Sequence, residues 1–592
     1  TSTPTTSPTP SPIPPYPGGE AQQVEGLIVL AMRDGQNTHL FGYSPPELGL
    51  IRLTSGPWDD IHPSLSLDGS KVAFASNRNG YWDLYILELS SGSLSRLTDS
   101  LGYEGRPSWS PDGLWLAYEA YTDAGGLEIF IGPADGSSSA IQLTEDSAAD
   151  HSPAWSPLGR AIAFVSTLTG EPEVWLADLD QIGEGRFRNI SLSPNTSEAH
   201  PVWSTSGSSL AWSSEQQGYH NLEIWDLESG KKRYAGSGDW PAWSPDGRVL
   251  LTALFEPETT YLAAYDLGAT ALALPPIQLP GSLEGITWGP AVDVLHLRDA
   301  YRAASALTPE PLWQPVLTPI PEGIPGRFMV VPLHEVEAPN AYLHDLVDES
   351  FYAMRNHLAQ EIGWDLLAEL VNAYVPLTSS LDPGRSLDWL YTGRAFEFTP
   401  LPVNAGWMAL VREDHGPQTF WRVYLRVRYQ DGSAGLPIHD LPWDFSARYN
   451  GDMVAHEEGG RLANAVPGGF WLDFTQFALD YGWIRVPAQT SWRSSYPAAR
   501  FNEYVLADGL DWTSAMLELY PSEILITPTI SVPPTRTLTP TPRWYQTPTP
   551  TITPSPRPTL TALPATATPL PTETLPPLPT STLSPTKTAT DP

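Results

Sequence analysis

Titratable side chains stand at fixed offsets ahead of a recurring proline. Three positions before it come Asp60, Glu104, Asp150 and Glu198; one position before it come His62, Arg106, Ser152 and His200. The fifth recurrence has Asp239 two positions before and Trp240 one before, and His151 adds an imidazole two before the third proline. Carboxylates interleaved with imidazole and guanidinium groups can hold a cation, a basic peptide or a polar ligand. The same acids can instead cap loops and orient the strand that follows, which is a structural role and no more.

Further along, Arg394, Glu397 and Asp473 are polar candidates for hydrolytic chemistry, with Trp492 as a fourth candidate site residue. Asp440, Asp444, Asp452, Glu457 and Glu458 form an acidic loop cluster that could take calcium, though without EF-hand spacing. His456-Glu457 lacks the second histidine of a zinc-binding His-Glu-x-x-His helix, because Gly460 occupies that place. No Gly-x-Ser-x-Gly elbow is present, which excludes an α/β-hydrolase domain, and there is no cysteine, which excludes thiolate and disulfide chemistry. No catalytic set and no metal or cofactor site is complete in the sequence.

The first group is carried by a repeat. The stretches PSLSLDG at Pro63, PSWSPDG at Pro107, PAWSPLG at Pro153, PVWSTSG at Pro201, PAWSPDG at Pro241 and the eroded ITWGPAV at Ile286 share one aromatic slot. Leu65, Trp109, Trp155, Trp203, Trp243 and Trp288 fill it, at steps of 44, 46, 48, 40 and 45 residues. A period in this range marks a repeat architecture. Each unit reads as four short strands: one running into the turn, two apolar alternating ones, and a last one near Arg52, Arg96, Gln142 and Asn189. Six such units predict a six-bladed, all-β propeller over residues 22–300. Its last blade combines the N-terminal strands with the C-terminal turn and a strand at 292–298, removing open sheet edges.

Residues 301–338 are a Pro-rich linker, and 339–524 read as an α+β domain. Its first helix is predicted over residues 341–370, where apolar residues recur along one face. Ten tryptophans fall between 313 and 512, and core packing is their default use. Thr/Pro-rich tracts at 1–21 and 525–592 are too rich in proline to pack and predict disordered flanks. The start at Thr1 within such a tract suggests an upstream signal or anchor.

With 32 basic against 67 acidic side chains, the net charge is −35. That charge disfavours nucleic acid and anionic lipid and favours cations and basic partners. No apolar run is long enough to span a membrane.

The order Leu-Thr, Pro-x-Trp-Ser-Pro-Asp-Gly, then apolar strands resembles TolB-type six-bladed propeller repeats. The resemblance implies a binding platform, often extracytoplasmic. Residues 393–397 (GRAFE), 477–483 (FALDYGW) and Trp492 resemble the zinc D-Ala-D-Ala carboxypeptidases, with Glu397 where a metal-binding Asp falls. Leu390 stands where that family has its first metal histidine, and no histidine follows His456, so this resemblance implies a relative without the metal. The expectation is an extracellular, cell-surface or periplasmic bacterial protein that binds a protein or cell-envelope component. The alternatives are a hydrolase of wall peptide or glycan acting through 339–524, and the ectodomain of a membrane sensor.

Overall fold

In this computed structural model the residues described are 25–525, apart from 45–47, 194–195, 217, 269–270, 291–300, 302–310, 321, 323–326, 380 and 382–387. The expected flanking tracts, and the strand expected at 292–298, lie outside the described residues.

The repeat turn closes the same way in five blades. Ser66, Ser110, Ser156, Ser204 and Ser244 each donate their amide to the carbonyl five residues on, at 2.8–2.9 Å. The glycine three residues on donates back to the same serine's carbonyl at 2.8–3.0 Å. Where the turn carries aspartate, the serine hydroxyl donates to it at 2.6 Å (Asp68, Asp112, Asp246), tying the turn side chain to side chain. Gly69, Gly113, Gly207 and Gly247 have φ between +69° and +71°, a conformation that glycine adopts without a Cβ clash.

These turns join antiparallel strands into six four-stranded sheets. At the outer edge, the Leu-Thr pair ends each early blade: Leu53, Leu97 and Leu143 turn inward while the following threonine hydroxyl replaces a ladder partner. Thr54, Thr98 and Thr144 accept from the amides of Leu40, Leu84 and Ile129 at 2.9–3.0 Å, and Ser191 does the same for Val174.

The innermost strands, Asp60–Leu65, Glu104–Trp109, Asp150–Trp155, Ser197–Trp203, Asp239–Trp243 and Leu283–Gly289, touch one another in a closed cycle. Closure is made by Leu283–Gly289 pairing with Leu27–Asp34, Gly289 opposite Leu27, with Asn37–Ser44 and Leu48–Arg52 completing that blade. The repeat tryptophans then rivet blade to blade. The indoles of Trp109, Trp203 and Trp243 donate to the carbonyls of Ser64, Ala154 and Val202 in the preceding blade at 3.0–3.1 Å. Trp155 departs from this, donating to Gly159 of its own turn.

The region after the propeller holds a helix, Asp348–Ile362, and antiparallel sheets of four, three, two and two strands. The helix is shorter than the predicted 341–370. Residues Tyr342–His344 are a strand, and Gly363 (φ +76°) caps the helix in left-handed conformation. One apolar cluster runs from Trp82, Tyr103 and Leu127 of the propeller to Phe351, Trp421 and Phe474 beyond it, so the two share a core. The described residues of both fall within one compact unit.

Trp243→Phe removes the bond to Val202 and part of the buried indole while keeping an aromatic core. It is expected to cost about 1–2 kcal/mol, read as a lower urea midpoint with an unchanged slope.

Candidate functional site

Five residues immediately before the repeat proline have left-handed backbone: His62, Arg106, Ser152, His200 and Trp240, with φ between +48° and +54°. Each sits at a break in strand register, a bulge that takes two residues out of the ladder. Such a conformation costs a non-glycine residue on the order of 1 kcal/mol or more, and strain of this kind concentrates at functional sites. The sixth blade has Gly285 here (φ +146°), and a Cβ on it would lie 2.7 Å from the Pro63 ring and 3.2 Å from His62 Cα.

The five side chains line one cavity at the mouth of the propeller. His200 stacks on Trp240 with ring centroids 3.6 Å apart, His62 lies 6.1 Å from the same indole, and the Arg106 guanidinium lies 5.2 Å above it. His200 Nδ1 bonds Asp239 at 2.8 Å. Burial pushes His62 well below its ordinary pKa, with Arg106 adding to the effect, so its ring is neutral. Asp239 is buried, which alone would raise its pKa; His200 and His220 outweigh this and hold it below the usual carboxylate range.

Residues 411–485 of the second region roof this mouth, leaving a cavity of about 1180 Å³. Among the described residues, fourteen carboxylates, six arginines and no lysine line it. Six of the chain's twelve histidines line it too: His62, His151, His200, His220, His415 and His439. Several arginines are matched locally: Arg422 to Glu413 and Asp473 at 2.6 and 2.7 Å, Arg485 to Glu413, and Arg412 to Asp414. The roof is fixed to the rim by Arg33, whose guanidinium bonds Asp480 at 2.6 and 3.1 Å, and by Trp82 donating to the Gly435 carbonyl at 2.9 Å. Glu284 lies in this wall, its pKa pushed up to about 7 by burial and by Asp473.

Beneath the roof is a buried carboxylate, Glu119. It accepts from Tyr103 Oη at 2.7 Å, from the Ser152 amide at 2.8 Å and from His439 Nε2 at 2.9 Å, with Arg106 Nε at 3.4 Å. His151 lies edge-on to His439, ring centroids 4.6 Å apart. Burial would raise the Glu119 pKa, yet His439, Arg106 and His151 bring it well below the usual carboxylate range.

The structure sorts the sequence candidates into separate places. His62, Arg106, His151, Glu198, His200, Asp239 and Trp240 line the cavity. Asp60, Glu104 and Asp150 are not among its lining residues. Asp60 is buried and bonded to Arg78 at 2.6 Å. Glu104 lines a different cavity, beside Tyr118 and Tyr121. Burial pushes the Asp150 pKa up to about 7, against the pull of Ser166.

Of Arg394, Glu397, Asp473 and Trp492 only Asp473 lines the mouth cavity, where Asp440, Asp452 and Glu458 of the acidic loop join it. Arg394 is paired with Glu518 at 2.8 Å, Glu397 is bonded by Asn372, and Trp492 packs edge-on against Trp421 with centroids 5.2 Å apart. In the acidic loop, Asp444 and Asp452 cap the short helices Phe445–Tyr449 and Met453–Glu457, while Glu458 pairs with Arg493 at 3.2 Å.

Sequence reasoning missed Glu119 and His439. Glu119 did carry a signal. It pairs with Gly105, and the matching slots of the other blades hold Ala75, Val165, Ser213 and Ala253, so one repeat has an acid where the others have small or apolar residues. His439 lies outside any repeat and carried none.

The family model described as PD40, TolB beta propeller domain, matches residues 102–292. These residues are TolB-type propeller repeats. A "Protein TolB homolog" of Chlorobium luteolum is 35% identical over 169 residues, covering 28% of this chain and 37% of that protein. A "Tol-Pal system protein TolB" of Francisella tularensis subsp. mediasiatica is 30% identical over 105 residues, covering 17% of this chain and 22% of that protein. The chain thus spans well under half the length of these relatives. Among solved structures, TolB from Acinetobacter baumannii is similar at TM-score 0.41 and 21% identity, over 45% of this chain and 68% of that one.

Glu104 gives a stability test for the acids that stand apart from the mouth cavity. Burial raises its pKa from 4.5 to about 7. A carboxyl raised in the fold weakens the fold wherever it is held ionised, so stability rises as pH falls from about 7 toward 4.5. The gap corresponds to up to ~3 kcal/mol, reduced by partial solvent access. Glu104→Gln is expected to stabilise the protein by about 1–2 kcal/mol at pH 8. In urea titrations it should also flatten the stability slope between pH 5 and 7, with little change at pH 4.

Proposed function

We propose that this chain is an extracytoplasmic binding scaffold of the bacterial envelope, and that its propeller mouth takes a ligand bearing positive charge beneath the roof of residues 411–485. The observation that carries the reading is the ring of strained inward-facing residues in a cavity with fourteen carboxylates against six arginines. A low-dielectric wall with an excess of one sign concentrates ions of the other sign. A mouth covered by the chain's own roof favours a small ligand, or the narrow end of a partner, over a flat protein surface. Exposed Glu256 and Glu258 stand among its lining residues as an acidic approach. The envelope setting is supported by the TolB-type repeats and by the Thr/Pro-rich tracts at 1–21 and 525–592, a composition suited to stalks.

Equilibrium dialysis with labelled spermidine as a cationic probe and citrate as an anionic one tests the charge of the ligand. Spermidine is expected to bind in preference to citrate, and Glu215→Gln with Glu284→Gln to weaken it by about tenfold, which is ~1.4 kcal/mol. Glu284 faces Asp473, Arg422, Arg33 and Arg106, and gains its charge near pH 7. Spermidine affinity is therefore expected to rise between pH 6 and 8, and Glu284→Gln to flatten that rise. Preference for citrate, or wild-type binding by the double variant, overturns the reading.

A further inference from the structure

We propose that Glu119, His151 and His439 form a site for one divalent transition-metal ion, which clamps the roof to the propeller. This goes beyond the binding reading above, since it needs neither the cationic ligand nor the envelope setting.

Three segments distant in sequence deliver the ligands. Glu119 comes from the second strand of one blade, His151 from the innermost strand of the next, and His439 from the roof. One carboxylate oxygen and one nitrogen from each imidazole lie within 4.8 Å of one another. Bonds of about 2.0–2.2 Å to a central ion require ligand atoms somewhat over 3 Å apart, so side-chain adjustments of about 1 Å close the set.

The second observation is an orphaned donor atom. His151 is 2% exposed, and its Nε2 has no hydrogen-bond partner. A buried polar atom left unpaired costs about 1–3 kcal/mol, and a metal bond at that nitrogen removes the cost. The surroundings already hold two of the three ligands in pose. Ser152 Oγ lies 3.0 Å from His151 Nδ1, where accepting the ring proton leaves the Nε2 lone pair free. Tyr103 Oη and the Ser152 amide fix the two oxygens of Glu119. Metal-binding imidazoles and carboxylates are characteristically oriented by such outer contacts.

Two imidazoles and one carboxylate suit zinc and its first-row neighbours better than calcium or magnesium, which prefer all-oxygen sets. Three protein ligands leave a further position, and the mouth cavity that His151 and His439 line is where water or a ligand atom would reach it. Arg106 opposes the ion, its Nε standing 3.4 Å from Glu119. Removing that charge gives a variant that should bind metal more tightly.

The test uses the full chain, stripped with chelator and titrated with ZnCl2, CoCl2 or CaCl2 by calorimetry, with thermal melting and the cobalt visible spectrum as further readouts. Expected are one zinc per chain, a rise in melting temperature, a cobalt spectrum of low coordination number, and no comparable calcium binding. His439→Ala, in the partly exposed roof loop, should weaken zinc by about 100-fold or more and abolish the cobalt signal. His151→Ala should do the same where circular dichroism shows it folded. Arg106→Gln should tighten zinc several-fold. Absence of stoichiometric zinc in the wild type, wild-type affinity in His439→Ala, or weaker zinc in Arg106→Gln overturns the proposal.

Discussion

In five blades the innermost strand is interrupted by a single left-handed residue immediately before the repeat proline. The proline has no amide hydrogen to give to the ladder, and the register breaks at it and at the residue ahead of it. The bulge takes that residue out of the ladder and hands its side chain to the mouth of the propeller. None of the five is β-branched, the residue type that tolerates positive φ least. The sixth blade, with no proline, uses glycine at the crowded point instead. The whole mouth depends on this one backbone choice, repeated.

The roof then changes what the mouth can be. Through the apolar cluster it shares with the propeller, the second region covers the ring and brings its own charges to it. Glu119 is the joint between the two. A carboxylate buried so completely would be costly alone, and here donors from its own blade, from the next blade and from the roof surround it.

The repeat turn, four strands per unit and a blade built from both termini were legible because each rests on local chemistry: the Ser-Asp-Gly turn, period-two alternation and the missing strands at the ends. The residues one before each proline were legible as mouth residues for the same reason. The acids three before were harder. In an unbroken strand positions one and three before the proline face alike, but position one lies within the bulge and leaves that alternation; Asp60, Glu104 and Asp150 stand apart from the cavity that His62 and Arg106 line, while Glu198 reaches it. The helix boundary at Gly363 was written in the sequence and overrun by the apolar periodicity of residues 341–370. His439 meets Glu119 across more than three hundred residues, and no local pattern announces a contact of that range.

The pairing of Leu27 with Gly289 has a mechanical consequence. Chain enters the ring and leaves it at the same end of one antiparallel pair, so tension applied across those two points peels the ladder bond by bond instead of shearing it all at once. Peeling needs little force. The segment beyond Gly289, however, continues into the region docked on the propeller through Arg33, Trp82 and the common core. A pull from the C-terminal side reaches that docked region before it reaches the clasp, so the roof is also the strain relief that keeps the ring shut.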